Sequence, residues 1–317
     1  AIAPDGTIST VAGTGAVGAP DTPVPDGARG TEVALSVPQS LAIGADNSLY
    51  IADTGRAQVF RLAPDGVLSL VAGSGARGSA GDGGPAIRAA LGQLGGLAVA
   101  PDGTVYIGDI TANRVRAVAP NGAISTVAGS GGSRVTAAGG PARTVPLPHP
   151  GGLAVDRQGD LWITGELLVR RLRGGDLGTV TVPDGADGGR WALATEASWP
   201  PPEPPLNNVA ALAAGPDGVY LLDQSTRAVR RLGSANTLDT VATLTGVDGP
   251  ATGPIAISAS GVGYVVDNAG HRVYRFRLTA KDDADAPDDG STFPWWPVAL
   301  GGAIVVVGVV VWLAARR

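Results

Sequence analysis

As far as residue 278, apolar positions in this chain come in short runs, each cut off by turn residues before a helical period develops. Between residues 97 and 128 the pattern is plain. Leu97–Ala100 runs into Pro101-Asp102-Gly103, Val105–Asp109 into a polar connection, and Arg114–Val118 into Pro120-Asn121-Gly122, after which Ala123–Ala128 ends the unit. Pro-Asp-Gly and Pro-Asn-Gly between apolar runs are hairpin signals, because glycine takes the positive φ that such turns require. The pattern predicts four antiparallel strands. It excludes a helical solenoid, since no unit holds a long stretch of 3.6-residue periodicity.

The unit recurs along the chain. Ile-Ser-Thr-Val-Ala-Gly stands at 8–13 and again at 124–129, with Leu-Ser-Leu-Val-Ala-Gly at 68–73, each after a Pro-Asp-Gly or Pro-Asn-Gly turn. The stretch Gly96–Asp109 is matched by Ser40–Asp53, Gly152–Gly165, Ala211–Asp223 and Ile255–Asp267. One aromatic residue marks all five, at Tyr50, Tyr106, Trp162, Tyr220 and Tyr264, with separations of 56, 56, 58 and 44 residues. Four-stranded units at such spacing predict the blades of a β-propeller. Four units are complete (37–73, 92–129, 148–183 and 207–244), and a fifth at 251–278 has three strands. The missing outer strand is available as Thr7–Ala12, and pairing it with Arg272–Leu278 would leave no open sheet edge.

These motifs resemble the NHL repeat family in its bacterial form. The resemblance rests on Gly-Leu-Ala-Val-x-Pro-Asp-Gly-x-Val-Tyr-Ile-x-Asp, on Asn113-Arg-Val-Arg and His271-Arg-Val-Tyr, and on the Gly-Asp-Gly-Gly-Pro-Ala loop at Gly81–Ala86. It implies an all-β propeller over residues 1–280, with five blades visible here where the family more often has six. Members of the family include scaffolds, sensors and a few enzymes. The chain departs from the pattern at Gly165, which replaces the strand-end aspartate, and in the 14–36 and 185–206 loops, which lack Gly-Asp-Gly-Gly.

Beyond the repeats the composition changes. Asp282, Asp283, Asp285, Asp288 and Asp289 mark an acidic linker over 281–294, followed by 19 uncharged residues from Pro297 to Ala315. At about 1.5 Å per residue that run spans roughly 28 Å, close to the ~30 Å of a bilayer core. Trp295 and Trp296 precede it and Arg316 and Arg317 follow it. Residues 295–317 are therefore expected to be one transmembrane α-helix with a cytoplasmic arginine tail, leaving the propeller extracytoplasmic on a single-pass cell-membrane protein. A buried core helix and a cleaved sorting tail are the alternatives, but the tail's Leu-Pro-x-Thr-Gly signal is absent.

Composition narrows the chemistry. A hydrophobic fraction of 44% supports a large core despite 49 glycines and 25 prolines. With 23 basic against 28 acidic residues the net charge is −5, without the basic footprint of a nucleic-acid binder. The absence of cysteine excludes disulfides, thiolate metal sites and a cysteine nucleophile.

Strand order divides the propeller into two faces. Tight Pro-Asp-Gly turns occupy one, while the long loops 14–36, 74–91, 130–147 and 184–206 occupy the other, with the strand-end carboxylates Asp53, Asp109, Asp223 and Asp267. The candidate partner-binding residues are those four aspartates with Glu166, Trp191 and Trp199, the tryptophans lying within the 186–206 loop that Pro200–Pro205 stiffens. Each has a structural alternative: aspartates cap turn N–H groups, and tryptophans cover a neighbouring blade. Arg61, Arg116, Arg171, Arg231 and Arg275 read as solvated or blade-to-blade partners, and His149 and His271 as structural. No catalytic residue or metal ligand is assigned, and no cofactor is expected, Ca²⁺ being the one considered. The expected function is a membrane-anchored binding, scaffold or sensor module whose partner is a cell-envelope protein or glycan. The alternative is a lactonase-like hydrolase or lyase using a divalent cation near Asn208, Asp223 and Asp267.

Overall fold

In the computed structural model the described residues are 7–20, 22–136, 139–165, 168–184, 190–192, 209–223, 226–232, 238–244, 253–258, 261–267 and 272–278. They form five antiparallel sheets in chain order. Blade 1 holds β1 (Pro38–Ile43), β2 (Leu49–Asp53), β3 (Gln58–Leu62) and β4 (Leu68–Ala72). Blade 2 holds β5 (Leu94–Val99), β6 (Val105–Asp109), β7 (Arg114–Val118) and β8 (Ile124–Ala128). A short β9 (Gly140–Pro141) precedes blade 3, made of β10 (Gly152–Val155), β11 (Leu161–Gly165), β12 (Leu168–Arg173) and β13 (Asp176–Asp184), with β14 (Arg190–Ala192) paired to the end of β13. Blade 4 holds β15 (Val209–Gly215), β16 (Gly218–Asp223), β17 (Ala228–Leu232) and β18 (Leu238–Thr243); blade 5 holds β19 (Ile255–Ile257), β20 (Val262–Asp267) and β21 (Arg272–Arg277). The first strands adjoin in sequence order, β5 against β1, β10 against β5, β15 against β10 and β19 against β15. The described residues form an all-β, five-bladed propeller.

Each blade is apolar on both faces, so its neighbours must cover both. Blade 1 turns Tyr50, Ala52 and Val59 toward Leu94, Leu97, Ile107 and Ile124 of blade 2. Similar layers follow between blades 2 and 3, 3 and 4, and 4 and 5. The far face of blade 1, with Ile51, Phe60 and Leu68, is covered in part by Ala12, Val24, Ala28 and Leu35 from the chain that enters it. A buried leucine or isoleucine contributes about 1.5–3 kcal/mol, which makes these layers the main source of stability.

The repeated six-residue motif acquires a physical meaning. In each of blades 1 to 4 the third and fourth strands slip register at one place, leaving Val71, Val127, Val180 and Val241 as the extra residue of a β-bulge. A bulge sharpens the local twist, which lets the outer strand turn away from the ring axis. The glycine that follows, Gly73 (φ 95°) or Gly129 (φ 92°), has a left-handed conformation, and a Cβ there would lie 2.2 or 2.3 Å from the carbonyl of Ala57 or Asn113.

Crossovers between blades share one path. Gly73 N–H donates to Ala86 O and Gly129 N–H to Ala142 O, each at 2.9 Å, after the crossover has bridged the outer edge of the blade it enters at Pro85–Ala123 or β9–β13. Gly13 N–H donates to Gly30 O in the same way, also at 2.9 Å, and Arg29 bridges Val67. Residues 8–12 thus enter blade 1 from where the outer strand of a preceding blade would lie. The 14–36 loop also keeps Asp26-Gly27 in the place of Asp82-Gly83, although the sequence around them has diverged.

No helix among the described residues is long and apolar enough to cross a membrane. The 281–294 linker and the 295–317 segment lie outside the described residues.

Deleting residues 1–13 is expected to lower the Tm of the protein by several degrees, as loss of a few kcal/mol does in a domain of this size. Calorimetry of the truncated and intact chains checks this, and an unchanged Tm would show that the segment closes nothing.

Candidate functional site

The strand-end aspartates are brought to one end of their blades, but the carboxylates of Asp53, Asp109 and Asp223 face the main chain. Asp53 is fully buried; its Oδ2 accepts from Ser36 N–H at 2.7 Å and its Oδ1 from Val37 N–H at 2.8 Å. Asp109, equally buried, accepts from Gly92 N–H and Ala112 N–H, both at 2.9 Å. Burial pushes the Asp109 carboxyl above the ordinary carboxylate value, against the pull of those two N–H groups and of Arg116 and Arg114. Asp223 is buried and accepts from Thr226 N–H at 3.3 Å. Each carboxylate pins the turn between its blade's second and third strands, the start of the first strand, or both. Asp267 ends β20 opposite Arg272 in register. Trp191 lies in β14 opposite Pro183. Glu166 and Trp199 fall outside the described residues.

Gly165, which breaks the aspartate pattern, has a steric explanation. A Cβ there would lie 2.5 Å from Pro148 O and 2.8 Å from His149 O. The donor that an aspartate would satisfy is also missing. Asp53 and Asp109 bond the N–H seventeen residues upstream, and seventeen residues before Gly165 stands Pro148, which has none. His149 N–H instead donates to Asn113 Oδ1 at 3.1 Å. The break in the repeat therefore follows from the loop at 148–150 and does not by itself mark a binding site.

The third strands carry arginines in two registers. Arg116, expected beside Arg61, Arg171 and Arg231, belongs to the opposite register with Arg170 and Arg230, and all three are fully buried. Arg116 forms an ion pair with Asp82 at 2.6 Å and donates to Ser79 O at 3.3 Å, holding the 74–91 crossover on blade 2. Arg170 donates to Thr136 O in the next crossover. Burial lowers the Arg170 guanidinium to about 10 and also lowers Arg230. Blade 1 has Phe60 at this position and uses Arg56 instead, which donates to Thr22 O at 2.5 Å and Ala34 O at 3.0 Å.

On the tight-turn face of blades 3 and 4 the recurring aromatic residue anchors its own turn. Trp162 Nε1 donates to Asp156 at 2.7 Å, and Arg171 lies 5.6 Å over its ring. The Tyr220 hydroxyl donates to Asp217, which also pairs with Arg231. Asp46 pairs with Arg61 at 2.6 Å, and this bond, helped by Ser48, lowers its pKa to about 2. Blade 2 has Ala117 where these blades have arginine.

One open cleft of about 620 Å³ lies at the rim between blades 1 and 2, bounded by Tyr50, Leu70, Val71, Ile87, Val105 and Val118. Among the described residues no group of three His, Asp or Glu side chains comes together as a metal site would need.

No family model matches the chain, and no curated protein matches it. Solved structures with similar coordinates include streptogramin B lyase (12% identity, 76% of this chain and 65% of that chain, TM-score 0.47). They also include a nidogen/laminin complex (15%, 76% and 76%, 0.49) and a gluconolactonase from Xanthomonas campestris (14%, 77% and 73%, 0.48). The chain spans less than two thirds of the streptogramin B lyase chain. No residue role, activity or partner is carried across from any of them.

Two substitutions test these assignments. Gly165→Asp, which restores the repeat pattern, is expected to destabilise by about 1–3 kcal/mol in urea titration, because the neighbouring main chain must move; a gain in stability would contradict the steric account. Asp82→Asn is expected to cost about 1 kcal/mol at pH 7, allowing for the partial exposure of the carboxylate. Burial would raise the Asp82 pKa, but Thr126 and Arg116 outweigh it and hold it below the ordinary value. The stabilisation is therefore complete above the unfolded pKa, about 3.9, and disappears as pH falls through the lower folded value. The gap between wild type and variant should close below about pH 4, and a gap that persists would assign the cost to something other than charge.

Proposed function

We propose that this propeller is a non-catalytic binding module of NHL type, tethered to the cell membrane by residues 295–317 with its blades outside. Its partner is a cell-envelope protein or glycan that reads the long-loop face. The observation that carries the reading is the use made of the buried carboxylates. Asp53, Asp109 and Asp223 are spent on backbone N–H groups that fix the loop bases, so partner contact falls to side chains beyond them, Trp191, Trp199 and Glu166. Rigid loop bases suit recognition, since a pre-ordered site loses little entropy on binding. A lactonase-like reading would require Asp223 to leave Thr226 and join Asn208 and Asp267 around a divalent cation. The uncharged 297–315 run and the two closing arginines support the tether and its orientation.

A pull-down from envelope extract distinguishes the readings. Replacing Trp191 and Trp199 by alanine is expected to weaken partner recovery by about 1–4 kcal/mol with little change in stability, while Asp65→Ala and Asp102→Ala leave recovery unchanged. EDTA is expected to change neither recovery nor Tm. Equal recovery by the tryptophan variant and wild type would end the proposal. For the tether, protease treatment of intact cells should release the propeller; survival until lysis would reverse the orientation.

A further inference from the structure

The rim cleft between blades 1 and 2 touches two consecutive residues of one strand that point to opposite faces. Val71 packs toward blade 2, and Leu70 packs with Phe60 on the far side. A space that meets both must pass the outer edge of β4. That edge is only partly paired within the chain. Arg29 bridges Val67, and Leu68 N–H donates to Ala28 O at 2.8 Å. By strand alternation the next outward N–H belongs to Leu70, and among the described residues no acceptor is recorded for it.

Blade 2 handles the same position differently. There the outward N–H is that of Thr126, and Asp82, drawn inward by Arg116, accepts from it. Blade 1 has Phe60 in place of Arg116, and the matching carboxylate, Asp26, stays exposed. The cleft beside the free edge is walled by Val71, Ile87, Val105 and Val118, with Tyr50 among them and main chain of Gly83, Gly84 and Gly122 around the mouth. None of its lining side chains carries a formal charge at neutral pH, and Ile87 is exposed. Such a site fits an uncharged extended chain, which continues the line of pairing that stops at Leu68 and sets alternate apolar side chains into the cleft.

We propose that the rim cleft is a second binding site, which takes an extended, uncharged apolar peptide segment of a partner protein as an added strand on β4. The proposal rests on the reading of the chain as a binding module but uses none of the long-loop residues. The test titrates the full chain in detergent against fluorescein-Thr-Val-Thr-Val-Thr-amide by anisotropy, with amide hydrogen exchange at Leu70 read in parallel. Saturable binding is expected, with protection of the Leu70 N–H. Ile87→Asp, a change at an exposed side chain, should weaken binding about tenfold, as should N-methylation of alternate peptide amides. No saturable binding, or binding indifferent to both changes, would overturn the proposal. Binding lost only when Trp191 and Trp199 are replaced would move the peptide to the long-loop face and also overturn it. Peptide binding that persists while the tryptophan variants recover the envelope partner normally would sink the long-loop reading alone.

Discussion

A sheet that is apolar on both faces has no stable existence until both are covered, and this requirement governs the whole molecule. Stacking blades around an axis meets it, but only if each crossover delivers the next blade at a fixed angle and height. The fixing is done by buried polar groups. Asp53 and Asp109 hold the N–H groups at the starts of their inner strands, and Arg116 and Arg170 hold crossover carbonyls from inside the blades. Burying such groups is costly unless they are paired, so each is retained where the backbone supplies its partner. Where it supplies none, as at Pro148, the aspartate is replaced by Gly165.

Much of this architecture was readable from the residues. The Pro-Asp-Gly turns and the period-2 runs placed the strands of blade 2 nearly as the structure has them, because tight turns and apolar alternation are local properties. The Ile-Ser-Thr-Val-Ala-Gly echo was readable as a repeat but not as a bulge, since the register slip at Val127 depends on the partner strand. Arg116 was grouped with Arg61, Arg171 and Arg231 because all recur near the third strands, and of the two readings offered the solvated one fails for it, since it is fully buried. Parity alone does not separate the two sets, because both faces of a blade are apolar: Arg61, Arg171 and Arg231 share theirs with Val59, Val169 and Val229, which are fully buried. The role of Gly165 depended on a chain crossing far away in sequence, which a single repeat unit does not reveal. The rim cleft was equally hidden, because its walls come from β4, the crossover at 83–87 and the strands and turns of blade 2, which meet only in the folded molecule.

For function, the division of labour between the two ends of the blades matters more than any single residue. On the tight-turn face, Asp46, Asp156 and Asp217 tie aromatic and arginine side chains of their own blades, so that face is largely self-satisfied. On the other face the buried carboxylates fix the loop bases and leave the loop tips to vary. A repeat protein built this way can change its partner without disturbing its core, because the residues that meet the partner are not those that hold the ring.

The account stands on the claim that the strand-end carboxylates are structural fasteners, and amide hydrogen exchange reads this directly. Ser36, Val37, Gly92 and Ala112 lie outside regular strands, yet their N–H groups are bonded to buried carboxylates and should exchange as slowly as amides within β2 and β6. Exchange at the rate of open loop amides would contradict the claim and return Asp53 and Asp109 to the list of groups free to meet a ligand.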